Sequence, residues 1–275
     1  MNVCKLLEEI KFRIKPVAGE CALHEAEMLL EHVLQCSRSE LYIKADHVIS
    51  EERHNKIETA IKRRLTHEPL PYILGFAFFH SKEFLVSNAV LIPRPDTEVL
   101  VEKVLEIEPE GPRSFLDVGT GSGAIAESLA GHRPQWKAMG LDISEQALKI
   151  AKINCGKKIG LVCGDLFSAL KITPHFDFIV SNPPYISGKE MADLDASVKD
   201  FEPVFALYGG TDGLDFYRAL AEKSKDLLKK GGCIYCEIGF AQGKEVRKIF
   251  SDRDWKNILQ FPDLAGRPRV IVAHL

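Results

Sequence analysis

Apolar side chains recur at helical spacing through the first 70 residues. Two sets of apolar positions lie three or four residues apart, the period of one helix face: Ala22, Ala26, Leu29, Leu30 and Val33 in one set, and Ile57, Ile61 and Leu65 in the other. Ser50 precedes two glutamates and is predicted to cap the second of these helices. This part of the chain therefore predicts a small helical bundle.

Two short aromatic runs follow the helical part. Residues 76–79 and 84–86 flank a polar turn of four residues, which predicts a β-hairpin that links the two parts of the chain. After the hairpin, Asp96 or Thr97 is predicted to cap a helix that runs from about residue 98 to residue 106.

From Ser114 onward, strand-like and helix-like patterns alternate. Six short apolar runs are predicted as strands: 115–118, 138–142, 159–163, 176–180, 233–238 and 269–273. Helical stretches lie between them, including 144–154 and 214–229. This alternation predicts an α/β fold with a mostly parallel, doubly wound sheet that carries helices on both faces.

Composition and charge narrow the class of protein. The chain has 275 residues, 45% hydrophobic and 27% charged, which suits a globular protein of one large and one small domain. A net charge of -3 gives no electrostatic argument for a broad nucleic-acid surface. No apolar run approaches the ~20 residues of a membrane helix, and charges interrupt the amino terminus where a signal peptide has its apolar core. We therefore expect a cytoplasmic protein.

The seven cysteines are scattered along the chain, which is typical of reduced thiols. Cys233 and Cys236 form a C-x-x-C pair, but residues three apart on a predicted strand face opposite sides of the sheet. A zinc site or redox pair is therefore not expected at this pair, and no metal site is predicted.

A glycine-rich loop follows the first predicted strand. Its residues lie where open α/β sheets bind ligands: Gly119, Thr120, Gly121, Ser122 and Gly123. The spacing is G-x-G-x-G, whereas a dinucleotide site has G-x-G-x-x-G, so an NAD-dependent oxidoreductase is disfavoured. The loop, with Asp117 before it, resembles the nucleoside-binding loop of Rossmann-like methyltransferases.

Two acids end the next two predicted strands. Asp142 lies roughly 20 residues beyond the loop, where a carboxylate can accept hydrogen bonds from both ribose hydroxyls, although a helix cap is the common alternative. Asp165 could accept from an adenine amino group, with Leu166 and Phe167 against the ring. The alternative for Asp165 is a plain turn residue.

The fourth predicted strand ends in Asn182, Pro183, Pro184 and Tyr185. Proline cannot donate to a sheet and moves the preceding residue out of helical geometry, so these residues form a stiff, extended turn. Such a turn fixes the Asn182 amide and a backbone carbonyl beside an aromatic ring, which suits the planar NH2 group of an amide, adenine or cytosine. On these four residues alone, a plain proline-rich loop is an equal alternative. The turn resembles one that S-adenosylmethionine-dependent methyltransferases use on such nitrogens.

Together, several segments resemble the HemK/PrmC family of protein-(glutamine-N5) methyltransferases, which modify peptide chain release factors. The resemblance covers nearly the whole chain through these segments: 64–75, 91–98, 119–123, 182–185, 201–203, 206–214, 237–239, Gln242 and 263–266. The most specific are Pro-Arg-Pro-x-Thr-Glu and Gly-Gly-x-Asp-Gly-Leu. The chain departs from the family at Leu166, where relatives often have Trp, and at Pro268, where they usually have a polar residue.

The resemblance implies a fold, a cofactor and a substrate. The implied domains are a helical substrate-recognition domain over 1–72, a hairpin linker over 73–95 and a Rossmann-like class I methyltransferase domain over 96–275. The implied cofactor is S-adenosylmethionine, held by the glycine loop, Asp142, Asp165, Leu166 and Asn182. The implied substrate is the glutamine of the Gly-Gly-Gln motif in class I peptide chain release factors. The protein is expected to act as a monomer, without a membrane and without direct nucleic-acid binding.

The predicted chemistry depends on positioning the substrate nitrogen. The Asn182 side-chain oxygen and the Pro183 carbonyl are predicted to accept both N–H bonds of the glutamine amide, while Tyr185 packs against the amide plane. Glu237, at a strand end, is predicted to be structural. One alternative is an N6-adenine or other nucleic-acid amino-group methyltransferase that uses the same turn on a flipped base. The other is a non-catalytic Rossmann-like module that binds a partner, which the intact loop and turn disfavour.

Overall fold

The computed structural model describes residues 2–275, which fall into two compact units. The smaller unit contains the residues up to Gly75 together with Ala196–Phe201. The larger unit contains Phe76–Asp195 and Glu202–Leu275.

The smaller unit is helical, as predicted. Its helices are α1 (Val3–Ala18), α2 (Ala22–Leu34), α3 (Arg38–Ile43), α4 (Glu51–Leu65) and α5 (Leu70–Leu74). The side chains that fill its core are buried to 1% exposure or less: Leu6, Ile10, Leu29, Leu30, Ile57 and Ile61. Ser50 caps α4 as predicted, because its hydroxyl accepts a hydrogen bond from the backbone N–H of Arg53 over 3.4 Å.

The prediction that Leu65 shares the buried face of α4 is wrong, since its side chain is 40% exposed. Four residues of a helix rotate by about 400°, which is about 40° more than a full turn. Two such steps separate Ile57 from Leu65, so their side chains point about 80° apart around the helix axis. Arg64 takes the inward position and is 7% exposed. Its guanidinium makes two hydrogen bonds with the Glu25 carboxylate, of 2.6 and 3.1 Å, which compensate for burying the charge.

The larger unit begins with the predicted hairpin, β1 (Phe76–Phe79) and β2 (Lys82–Leu85). The predicted four-residue turn is too long, because Phe79 pairs with Lys82 and only His80 and Ser81 form the turn. Their φ angles of 50° and 60° give the twist that a two-residue hairpin needs. Phe79 and Phe84 pack into the core of the larger unit.

Helix α6 (Pro95–Ile107) follows the hairpin. Neither Asp96 nor Thr97 caps it, so that prediction is wrong. Arg94 is the N-cap residue and makes no side-chain cap, and the helix begins at Pro95. The fixed φ of proline suits the first helical position, which starts the helix one residue before Asp96. Thr97 therefore lies within the first turn, where its side chain is 4% exposed.

A seven-stranded sheet forms the centre of the larger unit. Its strands are β3 (Ser114–Val118), β4 (Lys137–Asp142), β5 (Ile159–Cys163), β6 (Phe176–Ser181), β7 (Leu228–Glu237), β8 (Lys256–Pro262) and β9 (Pro268–His274). Their order is β5-β4-β3-β6-β7-β9-β8; the five strands from β5 to β7 in this order pair parallel with one another, and β9 pairs antiparallel with both β7 and β8. The predicted mostly parallel sheet is confirmed, and the chain order reverses between β3 and β6.

Helices cover both faces of the sheet, as predicted. The remaining helices of this unit are α7 (Ala124–His132), α8 (Glu145–Cys155), α10 (Asp215–Lys223) and α11 (Gly243–Ser251), and the short α9 (Ala196–Lys199) belongs to the helical unit. A hydrophobic core lies on each face of the sheet, and successive residues of a strand pack into different cores. Phe115 stacks on Phe178 at 5.0 Å in the first core, and Leu116 lies with Ile179 in the second.

The C-x-x-C pair follows the same alternation. Cys233 lies in the first core and Cys236 in the second, which confirms that the two thiols face opposite sides of β7. The predicted helix over 214–229 is too long, because α10 ends at Lys223 and β7 begins at Leu228. Strand β8 was not predicted, since it is an edge strand with few buried side chains and a weak apolar pattern.

Candidate active site

A cleft opens at the carboxyl ends of β3, β4, β5 and β6, where the strand order reverses. It encloses about 880 Å³, part of which is open to solvent. At the end of each strand, or shortly after it, a predicted site residue lines the cleft: Gly119, Asp142, Asp165 and Asn182. An open α/β sheet binds its ligand at this kind of crossing.

The glycine loop turns sharply between β3 and α7. Gly119, Gly121 and Gly123 have φ angles of 73°, 55° and 81°, which residues with a side chain adopt only under strain. Gly119 and Gly121 line the cleft. Gly123 has a different role, because a Cβ placed there would lie 2.5 Å from the sulfur of Cys155 on α8. It allows two helices to pack closely.

The side chains of two loop residues, Thr120 and Ser122, are buried and do not line the cleft. They are 6% and 4% exposed. The Thr120 hydroxyl donates a 2.7 Å hydrogen bond to the carboxylate of Asp117, and the Ser122 carbonyl accepts one from the Asn154 side chain. Burial raises the pKa of Asp117 to about 7 despite the hydrogen bond from Thr120. These contacts hold the loop in shape.

Asp142 ends β4 and is 7% exposed within the cleft wall. One carboxylate oxygen accepts a 2.8 Å hydrogen bond from the backbone N–H of Gly121, and the other accepts a 2.9 Å bond from that of Ser144. Burial raises the pKa of Asp142, and these backbone donors oppose that shift. Each oxygen keeps a further lone pair for a hydroxyl in the cleft. Asp142 does not cap α8, because the N-cap is Ser144, whose hydroxyl accepts a 3.1 Å hydrogen bond from the backbone N–H of Ala147.

The residues after β5 divide between the cleft and the core. Asp165 is exposed, and Asp165 and Leu166 line the cleft. Leu166 has a φ of 48°, a left-handed conformation that is strained for this side chain. The structure does not bring Phe167 to the cleft beside them, because its ring is 7% exposed and packs in the core with Leu141.

The Asn182–Tyr185 turn continues directly from β6. The Ser181 hydroxyl donates a 2.7 Å hydrogen bond to the carbonyl of Val118, which ties this strand end to the glycine loop. Asn182, Pro183 and Pro184 line the cleft. The ring of Tyr185 lies partly buried against the core, and burial raises the pKa of its hydroxyl to about 12.

The Gly-Gly-Thr-Asp-Gly segment packs against this turn. A Cβ at Gly209 would lie 2.6 Å from the Pro184 carbonyl, and one at Gly213 would lie 2.4 Å from that of Tyr185. The amide of Gln242 donates hydrogen bonds to the carbonyls of Tyr185 and Gly213, of 2.9 and 3.2 Å. Only glycine lets the backbone of this segment approach the backbone of the turn so closely, which explains the glycines at positions 209 and 213.

The buried Thr97 hydroxyl lies on the inner side of Asn182. The contact between these two side chains was not predicted from the sequence. The Asn182 side-chain N–H donates a 3.1 Å hydrogen bond to the Thr97 hydroxyl. The Thr97 hydroxyl in turn faces the carboxylate of Glu237, which is 1% exposed and whose pKa the hydroxyl lowers. The sequence feature that could have indicated a role for Thr97 is its position in the Pro-Arg-Pro-x-Thr-Glu segment. The start of a helix alone does not require so specific a sequence.

Among residues 2–275, the His, Cys, Asp and Glu side chains form no group of three that could hold a metal ion. No helix in the same range is long and apolar enough to cross a membrane.

Three family models match parts of the chain. Residues 5–75 match the PrmC N-terminal domain, residues 95–198 match the methyltransferase small domain, and residues 161–265 match the Eco57I restriction-modification methylase.

Relatives match along nearly the full length. The release factor glutamine methyltransferase of Koribacter versatilis is 43% identical over 251 residues, 90% of this chain and 89% of the relative. That of Thermodesulfovibrio yellowstonii is 39% identical over 258 residues, 91% of each chain. A solved methyltransferase structure from Pyrococcus furiosus superposes with a TM-score of 0.51 at 17% identity, over 82% of this chain and 98% of that one, and supports the fold alone.

Proposed function

We propose that this chain, which belongs to the family of release factor glutamine methyltransferases, methylates the side-chain amide nitrogen (N5) of the glutamine in the Gly-Gly-Gln motif of class I peptide chain release factors. The methyl donor of this enzyme is S-adenosylmethionine. The observation that carries the proposal is the Asn182–Tyr185 turn, which borders the same cleft as the glycine loop and Asp142.

The cleft residues fit the cofactor. Asp142 offers acceptor lone pairs for the ribose hydroxyls, and Gly119 and Gly121 let the backbone approach closely. Asp165 and Leu166 lie after the next strand, where the base would be held. When bound, S-adenosylmethionine supplies a methyl group activated by its sulfonium.

The substrate nitrogen is held by the turn after β6. An amide nitrogen is a weak nucleophile, because its lone pair is delocalised into the carbonyl. The Asn182 side-chain oxygen and the Pro183 carbonyl accept its two N–H bonds, which aims the nitrogen at the methyl and stabilises the positive charge that develops there. Pro184 stiffens the turn. The contact of Tyr185 with the amide stays a prediction, since its ring packs partly against the core.

The proton balance of the reaction is simple. A bound S-adenosylmethionine would supply the methyl group, and the amide nitrogen that accepts it would release one of its protons to solvent. The turn residues Asn182 and Pro183 are acceptors and take no proton. The work of the site is therefore orientation rather than acid–base transfer.

The chain divides by role at two points. Residues 1–72 act as the substrate-recognition domain that holds the release factor, residues 73–95 act as a hairpin linker and residues 96–275 carry the chemistry. The match of residues 5–75 to the PrmC N-terminal domain supports the first assignment. The enzyme acts as a cytoplasmic monomer and binds its protein substrate without a membrane and without direct contact with nucleic acid.

The second candidate is a methyltransferase for amino groups of nucleic-acid bases. Residues 161–265, which include the Asn182–Tyr185 turn, match a restriction-modification methylase, but the relatives along nearly the full length do not favour this candidate. A base amino group is planar and would fit the same two acceptors.

One experiment separates the two candidates. Labelled S-adenosylmethionine is offered with a class I release factor, with its Gly-Gly-Gln variant in which the glutamine is alanine, or with duplex DNA. Label on the unaltered release factor alone supports the proposal. Label on DNA, or equal label on the glutamine-to-alanine variant, would overturn it.

A further inference from the structure

A buried chain of polar side chains runs inward from the catalytic turn. Asn182 donates through its side-chain nitrogen to the Thr97 hydroxyl over 3.1 Å, and the Thr97 hydroxyl faces the Glu237 carboxylate, whose pKa it lowers. Thr97 is 4% exposed and Glu237 is 1% exposed. The three residues come from three elements: the turn after β6, the first turn of α6 and the last residue of β7.

The direction of donation along this chain is fixed by the groups themselves. An ionised carboxylate can only accept hydrogen bonds, and a hydroxyl has one hydrogen to give. The hydrogen of Thr97 is therefore committed to Glu237, and its oxygen can only accept from Asn182. The Asn182 amide must turn its nitrogen inward, which leaves its oxygen for the cleft.

We propose that Thr97 and Glu237 are positioning residues that lock the Asn182 side-chain amide with its oxygen toward the substrate. The inference rests on the proposed function, in which that oxygen accepts a hydrogen bond from the glutamine amide. Neither residue lines the cleft.

The lock matters because the two ends of an asparagine amide have nearly the same shape. After a half-turn of the amide, Asn182 would present an NH2 group to the NH2 group of the substrate. Two donors form no hydrogen bond, so the substrate nitrogen would no longer be oriented toward the methyl group. A hydrogen bond that holds one orientation therefore acts on the rate through Asn182.

The surroundings of Glu237 determine its charge. The guanidinium of Arg269 lies 4.0 Å from the Glu237 carboxylate and also pairs with Asp96 at 2.7 Å. Tyr185 contributes a hydroxyl near the carboxylate, and the Tyr217 hydroxyl donates to the Glu237 backbone carbonyl over 2.9 Å. Arg269 favours the ionised form, while burial favours the neutral one.

Protonation of Glu237 would release the lock. Burial raises the pKa of this carboxyl to about 7, against the opposing effects of Thr97 and Arg269. A neutral carboxyl can itself donate, so the Thr97 hydrogen is no longer committed to it. Since the folded pKa lies above the ordinary value, the locked form is present above about pH 7 and is lost as the pH falls through it.

The first test compares Thr97→Val with Thr97→Ser. Valine keeps the shape and removes the hydroxyl, whereas serine keeps the hydroxyl. We expect Thr97→Val to lower kcat by about tenfold, the equivalent of one hydrogen bond, and Thr97→Ser to restore most of it. The Kd of S-adenosylmethionine, measured by calorimetry, should change less than about twofold in both. Wild-type kcat in Thr97→Val, or equal loss in both variants, would overturn the lock.

The second test is the pH dependence of kcat in Glu237→Gln. A glutamine does not titrate, so we expect the decline of kcat below about pH 7 to be present in the wild type and absent from the variant. The same decline in both proteins contradicts the role of Glu237.

Asn182→Ala separates failure of the lock from failure of the proposed function. If this variant is inactive while Thr97→Val has wild-type kcat, only the lock is wrong. If Asn182→Ala has wild-type kcat, the proposed use of the Asn182 oxygen is wrong, and the lock falls with it.

Discussion

Replacing Asp142 by asparagine should weaken cofactor binding strongly. Both carboxylate oxygens already accept backbone hydrogen bonds, of 2.8 Å from Gly121 and 2.9 Å from Ser144. Asparagine offers one acceptor oxygen and one NH2 group, so one backbone donor would face another donor. The variant also loses a charged acceptor for a ribose hydroxyl, which contributes about 2 to 3 kcal/mol. The expected loss of affinity for S-adenosylmethionine is therefore roughly 30- to 150-fold.

Isothermal titration calorimetry with S-adenosylmethionine measures this loss directly. Glu145→Gln is the matched control, because it makes the same chemical change three residues away, on the exposed first turn of α8. We expect its Kd to stay within about twofold of the wild type. Circular dichroism at the titration temperature establishes that Asp142→Asn is folded. A folded Asp142→Asn protein with the Kd of Glu145→Gln would refute the assignment of Asp142 to the ribose.

Three further changes test the support of the site. Gly123→Ala should lower the free energy of unfolding, measured by urea titration, by about 1 to 3 kcal/mol. The reason is that its Cβ would meet the Cys155 sulfur at 2.5 Å and that its φ is 81°. Gly111→Ala is the control and should not lower it, because the space around Gly111 is open. Gln242→Leu removes the hydrogen bonds that tie the catalytic turn, and kcat should fall about tenfold with little change in cofactor Kd; an unchanged kcat contradicts that support. Because burial raises the pKa of Asp117 to about 7, the stability of the wild type relative to Asp117→Asn should fall as the pH rises from about 4 to about 7; a difference that does not change with pH contradicts the burial of its charge.

The features that the sequence predicted well are local ones. The alternation of apolar residues located β3 and β6, and the glycine and proline spacing after them identified two sides of the cleft. In each case the residues that determine the conformation are neighbours along the chain. The alternation also predicted correctly that Cys233 and Cys236 face opposite cores.

The features that were missed depend on distant contacts or on the direction of a side chain. Thr97 and Asn182 are 85 positions apart, and nothing local to either indicates their hydrogen bond. Spacing placed Thr120 and Ser122 in the cofactor loop but could not show that their side chains turn into the protein. Leu65 was misplaced because the four-residue steps of the pattern drift round the helix.

The proposed function is tested most directly by locating the methyl group by peptide mass spectrometry after reaction with wild type and with Asn182→Ala. Both are assayed at cofactor concentrations that saturate them, so that binding does not limit the rate. The proposed function predicts a methyl group on the side-chain amide of the Gly-Gly-Gln glutamine, formed about 100-fold or more slowly by the variant. A methyl group elsewhere, or equal rates for the two proteins, would contradict it.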